Sequence, residues 1–189
     1  MLIVVRHGRT EANAAGLLLG RLDPPLDLLG IEQAGRVARA VGEVDRVVSS
    51  PLGRAVETAE AFGLPVEIDE RWTELDYGDF DGLPVTEVPE AVWQRWRADP
   101  DFAPPTGESI AELTRRVHLA CEDLCEGAQS ATIVVVSHVS PIKAAVAWAL
   151  GVGPELAWRT HLDPASITRI VIGRRGPLLR SFNEVAHLV

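Results

Sequence analysis

Leu2-Ile3-Val4-Val5-Arg6-His7-Gly8 opens the chain with a short apolar run that ends in an arginine, a histidine and a glycine. Three of the four apolar residues are β-branched, so the run reads as a buried strand that breaks at Gly8. His7 then stands at a strand's carboxyl end, where open α/β sheets deliver their functional groups. The segment Thr132-Ile133-Val134-Val135-Val136 repeats the pattern and ends in Ser137-His138. Either histidine alone would read as a strand cap; two of them in this setting read as a paired-imidazole site.

Outward from these strands the pattern alternates strand and helix. Asp27 is placed to cap a helix running to Val41, Arg46 to Ser49 reads as a strand, and Pro51 opens a helix to about Ala61. Val66 to Ile68 reads as a weak strand, and 69–83 as polar loop. Helices are expected over 87–98, over 108–126, where Ile110, Leu113, Val117, Cys121 and Leu124 form one stripe, and from Pro141 to Leu150. Ser166–Ile172 and Pro177–Phe182 read as closing strands joined by a turn too short for a parallel crossover. This order predicts a three-layer α/β/α sandwich with a mainly parallel central sheet and an antiparallel edge strand. The length fits a single domain over 1–189, with a short lid at about 84–105.

The chain has 189 residues, 47% of them hydrophobic, and a formal net charge of −9. Such acidity argues against nucleic-acid or anionic-membrane binding, and no apolar run approaches a membrane span. No leader pattern appears at the N-terminus, so a cytoplasmic protein is expected. Cys121 and Cys125 match neither a redox pair nor a zinc half-site, even with His118 a turn away, and read as reduced core residues. No metal and no cofactor is expected.

Arg6 precedes His7, and Arg54 follows Ser49-Ser50-Pro51 in the first turn of a helix. Guanidinium groups bind phosphate oxygens in pairs, and a helix N-terminus favours an anion. Nearby positive charge also keeps an imidazole neutral and nucleophilic. A nucleophile, cationic clamps and a second imidazole together are what a phosphohistidine intermediate needs.

Arg6-His7-Gly8-Arg9-Thr10 with Asn13 resembles the opening signature of the histidine phosphatase superfamily, which includes cofactor-dependent phosphoglycerate mutases. Ser49-Ser50-Pro51-Leu52-Gly53-Arg54-Ala55 resembles its second signature, Glu74-Leu75-Asp76-Tyr77-Gly78 its acid-bearing loop, and Pro105-Thr106-Gly107-Glu108-Ser109 its next helix start. With Leu26–Ala34 and Ser137-His138, the matches keep the family's order. The resemblance implies that His7 carries the phosphoryl group, that Glu74 protonates the leaving oxygen, and that Arg6, Arg54 and His138 hold the transferring oxygens. It places Thr10, Asn13, Gly20 and Arg21 at the substrate.

Two positions depart from the usual pattern. Arg9 adds a positive charge, and Val139 stands where many members have Gly. The run from Ser137 to Lys143 is similar to the short branch with α-ribazole-phosphatase-like domains, which turns the expectation away from mutase specificity. Trp93, Trp96 and Trp158 read as packing residues, His118 as a surface or core histidine and not a ligand, His161 and His187 as without matching partners, and Asp76, Asp79 and Asp81 as solvated loop carboxylates.

The expectation is a metal-independent phosphomonoesterase acting on a small phosphorylated metabolite. Mutase-type transfer is the first alternative, disfavoured because only Arg95 and Arg97 supply positive charge between 84 and 105. A phosphoprotein phosphatase or an inactive phosphate-binding module is the second. The oligomeric state stays open, a homodimer included.

Overall fold

The computed structural model describes residues 1–189. In chain order the elements are β1 (Leu2–Arg6), α1 (Glu11–Ala14), α2 (Leu28–Val41), β2 (Arg46–Ser49), α3 (Gly53–Glu60), β3 (Val66–Ile68), α4 (Glu90–Ala98), α5 (Ile110–Ser130), β4 (Ile133–Ser137), α6 (Val139–Leu150), β5 (Ile167–Gly173) and β6 (Gly176–Glu184). They form one six-stranded sheet in the order β3-β2-β4-β1-β5-β6. β1 to β4 are mutually parallel where they pair, whereas β5 runs antiparallel to both β1 and β6. The expected sandwich is present, with its antiparallel pairing confined to the β5–β6 side.

Alternation along the strands sorts the core into two layers, because successive side chains in a strand point to opposite faces. Leu2, Val4, Ile133 and Val135 pack with α5 and α6 residues such as Leu113, Val117, Ala144 and Ala145. Ile3, Val5, Val134 and Val136 pack on the opposite side with Val37 of α2 and with Ala55 and Ala59 of α3. Strands buried on both faces need no polar alternation, which is why β1 and β4 are almost wholly apolar.

Several boundaries differ from the sequence expectation for identifiable reasons. α3 begins at Gly53 because Ser50 and Pro51 form a turn, in which Ser50 Oγ accepts from the Leu52 N–H at 3.3 Å. α4 starts at Glu90, not at 87, since Pro89 disfavours helical torsions at Val88. α5 starts later and ends later, from Ile110 to Ser130, and its start is fixed by a capping box between Ser109 and Glu112. α6 begins at Val139, ahead of Pro141, because a proline in the first turn lacks only an N–H that has no helical partner there. The segment 69–83 is less polar inside than its sequence reads: Trp72 and Leu75 are buried in the core.

The register brings the site together. Arg6 pairs with Ser137 across β1 and β4, so the next residue of each strand, His7 and His138, leaves the sheet side by side. β2 ends beside β4, which adds Ser50 to the same edge.

Candidate active site

His7 is buried, and its Nδ1 lies 2.7 Å from the Gly8 carbonyl oxygen. A carbonyl only accepts, so Nδ1 carries the proton and Nε2 keeps its lone pair. Burial, reinforced by the Arg6 and Arg54 charges, pushes the His7 pKa well below the usual imidazole value. The ring is therefore neutral at ordinary pH.

The Gly8 peptide that fixes this tautomer is itself held on two sides. Its N–H donates to Thr58 Oγ1 of α3 at 3.0 Å. A Cβ on Gly8 would sit 2.4 Å from the Gly30 carbonyl oxygen of α2, so the residue must be glycine for the two segments to approach.

The His138 ring centroid lies 5.0 Å from that of His7. Its Nε2 is 2.7 Å from Ser50 Oγ, and its buried Nδ1 has no partner in the protein. Burial first, and then the positive side chains around it, push its pKa well below the usual value as well. A neutral ring has one proton to place. When the Ser50 hydroxyl donates to Nε2, that proton sits on Nδ1, free for a ligand oxygen.

Arg54 is fully buried, with Nη1 donating to the Leu22 carbonyl at 2.6 Å and Nη2 to the Gly20 carbonyl at 2.9 Å. Asp23 accepts from Nη1 at 3.3 Å, and the Nε of Arg54 is unpartnered. Arg6 donates to the Leu162 carbonyl at 2.6 Å and likewise keeps a buried Nε without a partner. Burial lowers its pKa to about 10, with Glu74 opposing the shift, so both guanidinium groups remain charged. Two cations, Arg54 buried and Arg6 partly so, each with a buried Nε–H left unpartnered, suit an anion.

Glu74 is buried and accepts three backbone N–H groups. Leu75 and Ser140 donate to Oε1 at 2.7 and 3.1 Å, and Val139 donates to Oε2 at 3.0 Å. Its carboxyl group thereby sits on the N-terminus of α6, where the helix leaves N–H groups free. Val139 takes part through its N–H alone and is not among the residues with positive φ, so this helix start does not require glycine.

A cavity of roughly 190 Å³ is lined by Arg6, His7, Asn13, Glu74, Tyr77, Val139 and Leu17 to Leu19. Asn13 Oδ1 accepts from the Thr10 N–H at 3.1 Å, which leaves its amide protons for a ligand. The Thr10 hydroxyl instead caps α1 by accepting from the Asn13 N–H. Gly20 does not line this cavity. A Cβ there would meet the Leu75 carbonyl oxygen at 2.7 Å, and its own carbonyl anchors Arg54. Arg21 is exposed, 3.5 Å from Asp76 and 3.8 Å from Glu108. The extra charge of Arg9 is taken up by Asp27 at 2.7 Å.

Sequence reasoning missed Ser50, Thr58 and Asp81. Ser50 ends β2 as His7 and His138 follow β1 and β4, and that shared position was a usable signal. Asp81 accepts the N–H groups of Gly20, Arg21 and Leu22, which shapes the loop around Arg54. It reads from sequence as an ordinary solvated carboxylate. No group of three or more His, Cys, Asp or Glu side chains is arranged to hold a metal ion, and Cys121 and Cys125 are unpaired. No helix is long and apolar enough to cross a membrane.

The family model of the histidine phosphatase superfamily (branch 1) matches residues 2–185. The chain belongs to this superfamily. It is 38% identical to a bifunctional protein of Mycobacterium tuberculosis over 88% of this chain and 49% of the relative, so it spans about half the length of that relative. It is 35% identical to phosphoserine phosphatase 1 of Hydrogenobacter thermophilus, over 99% of this chain and 93% of the other. The structure of the Entamoeba histolytica phosphoserine phosphatase in complex with 3-phosphoglyceric acid superimposes with a TM-score of 0.92. Its sequence is 33% identical, and the match covers 100% of this chain and 98% of that one. The matched span of this branch 1 histidine phosphatase model includes both His7 and His138.

Proposed function

We propose that this chain is a phosphomonoesterase that hydrolyses a small phosphorylated metabolite through a phosphohistidine at His7, without a metal, in the cytoplasm. The observation that carries this reading is the His7 ring itself: neutral, with its proton held on Nδ1 by the Gly8 carbonyl, and placed with Arg6, Asn13 and Glu74 around one cavity.

In the first step the Nε2 lone pair forms a bond to phosphorus, and the ester P–O bond breaks. Glu74 gives its proton to the departing oxygen, so the product leaves as an alcohol. Arg6, Arg54, Asn13 and the Nδ1–H of His138 take the phosphoryl oxygens and stabilise the charge gathering on them. In the second step the Glu74 carboxylate accepts a proton from water as the water oxygen attacks phosphorus. The P–N bond breaks, its electron pair returns to Nε2, and inorganic phosphate departs. Throughout, the proton stays on His7 Nδ1 and is donated to the Gly8 carbonyl. The two arginines supply the positive charge that metal ions provide in many phosphoryl-transfer sites. The names of the two phosphoserine phosphatases above support hydrolysis of a small phosphorylated metabolite.

The test is to trap the intermediate during turnover with labelled substrate. Acid-labile, base-stable label should appear in the wild type and vanish in His7→Ala. Full turnover by a folded His7→Ala variant would refute the mechanism.

A further inference from the structure

A second cavity, of about 110 Å³, adjoins the first and has no part in the chemistry above. It lies between α4, α5, α6 and the turn at Pro154–Trp158, and shares Tyr77 and Val139 as walls with the catalytic cavity. Most of its lining is apolar, including Trp93, Trp96 and Trp158. Its volume is of the order that admits one six-membered ring, as the roughly 150 Å³ cavity engineered into a model protein admits benzene.

Two donor groups in this apolar wall are under-satisfied. Lys143 is half-buried, its Nζ donates to the Ala157 carbonyl at 2.8 Å, and no carboxylate pairs with it. An ammonium has three protons to donate, so one carbonyl leaves it under-satisfied. Trp96 is 1% exposed, and its buried indole N–H has no partner. Unsatisfied buried donors carry a penalty that an incoming acceptor removes. Lys143 also lies one helical turn along α6 from Val139 and Ser140, whose N–H groups hold Glu74. A group bound at Lys143 would thus sit on the side where Glu74 meets the departing alcohol.

We propose that this cavity is the leaving-group pocket and that it selects a phosphomonoester whose alcohol carries a flat apolar body ending in a carboxylate. The tryptophans pack against the body, and Lys143 receives the carboxylate. The proposal rests on the phosphatase reading for its kinetic arm and is independent of it for its binding arm.

For binding, benzoate is titrated into His7→Ala protein and followed by tryptophan fluorescence and calorimetry, with benzamide as the neutral counterpart. Saturable benzoate binding is expected, with benzamide weaker. Lys143→Met should reduce benzoate affinity about tenfold or more, the scale of one hydrogen bond to a charged group, and Lys143→Arg should restore much of it. For catalysis, kcat/KM is compared between 4-carboxyphenyl and 4-carbamoylphenyl phosphate. The wild type should prefer the carboxylate ester, and Lys143→Met should abolish the preference; a ratio cancels any general loss of active protein. Equal affinity for benzoate and benzamide, no binding of either, or a preference unchanged in Lys143→Met overturns the proposal and leaves the phosphohistidine mechanism standing. Benzoate binding without hydrolysis of any ester refutes the phosphatase reading and keeps the pocket.

Discussion

Replacing Glu74 with Gln separates the chemical and structural roles that this residue combines. Both carboxylate oxygens accept backbone N–H groups, Oε1 from Leu75 and Ser140 and Oε2 from Val139. A glutamine amide must turn its NH₂ toward one of these sets, so donor faces donor in either orientation. At least one hydrogen bond to a charged acceptor is lost, about 1.5–3 kcal/mol, which lowers the melting temperature by roughly 3–12 °C for a domain of this size. The chemical loss has a different signature. Alkyl phosphates need a proton on the leaving oxygen, and their kcat/KM should fall about 10²–10⁴-fold. For 4-nitrophenyl phosphate the leaving phenolate departs unprotonated, so kcat/KM should change far less. The second step still needs Glu74 as a base, so the variant should release a burst of nitrophenolate of about one per site and then turn over slowly. Rapid-mixing absorbance at 400 nm reads the burst, and thermal unfolding reads stability. Equal losses in kcat/KM for both esters would move the general acid elsewhere. Tyr77 would be the first candidate, since it lines the cavity and burial pushes its pKa up, keeping its proton in place.

Other expectations follow from the same geometry. His7 and His138 hold pKa values well below the unfolded value of about 6.5, so below that pH the unfolded chain takes up two protons that the folded chain refuses. Their contribution to stability is complete above about pH 7 and falls as pH drops through 6.5, by up to about 2.7 kcal/mol per pH unit. Urea unfolding between pH 5 and 7 should show this slope, and His7→Asn should roughly halve the part due to the pair; an unchanged slope would refute it. Gly30→Ala, which adds helix propensity in most settings, should here destabilise by about 1–3 kcal/mol and depress activity, because the new Cβ would lie 2.0 Å from the Arg9 carbonyl oxygen. A raised melting temperature would contradict that contact. Given 3-phosphoglycerate with 2,3-bisphosphoglycerate, the protein should release inorganic phosphate and form little 2-phosphoglycerate. Arg97 pairs with Glu90 and Arg95 stacks on Phe102, so neither lines the catalytic cavity to enclose a polyanion. Primer-dependent isomerisation outpacing phosphate release would favour the mutase alternative.

The sheet and the histidine pair were legible because their signals are local. Unbroken apolar runs mark doubly covered strands, and the residue after each run is at a sheet edge by construction. The place of Arg54 in the first turn of a helix was legible from the Ser-Ser-Pro run before it. What surrounds it was not, since its partners at Leu22 and Gly20 are backbone carbonyls, and any residue type can offer a carbonyl. The same holds for Leu162, which meets Arg6 from far along the chain. Gly20 and Arg21 were expected at the substrate; in the structure the Gly20 carbonyl accepts from Arg54, and Arg21 lies beside Asp76 and Glu108. Trp96 and Lys143 show the remaining gap. Helical spacing identifies a packing face, but an orphaned donor within it appears only when every neighbour has a position.

The pairing of β1 has a consequence for how the molecule comes into being. β1 lies between β4 and β5, so Leu2 finds its partners only at Ile133 and Ile170, far along the chain. Such remote pairing defers loop closure and slows folding. The main-chain clasp on the nucleophile's strand is made by the late segment too, with the Ser166 carbonyl on the Arg6 N–H and the Ala165 N–H on the His7 carbonyl. A nascent chain therefore exposes an unpaired, almost wholly apolar strand until β4 and β5 are made. Until β5 pairs with β1, the main chain on either side of the nucleophile's strand end lacks this clasp.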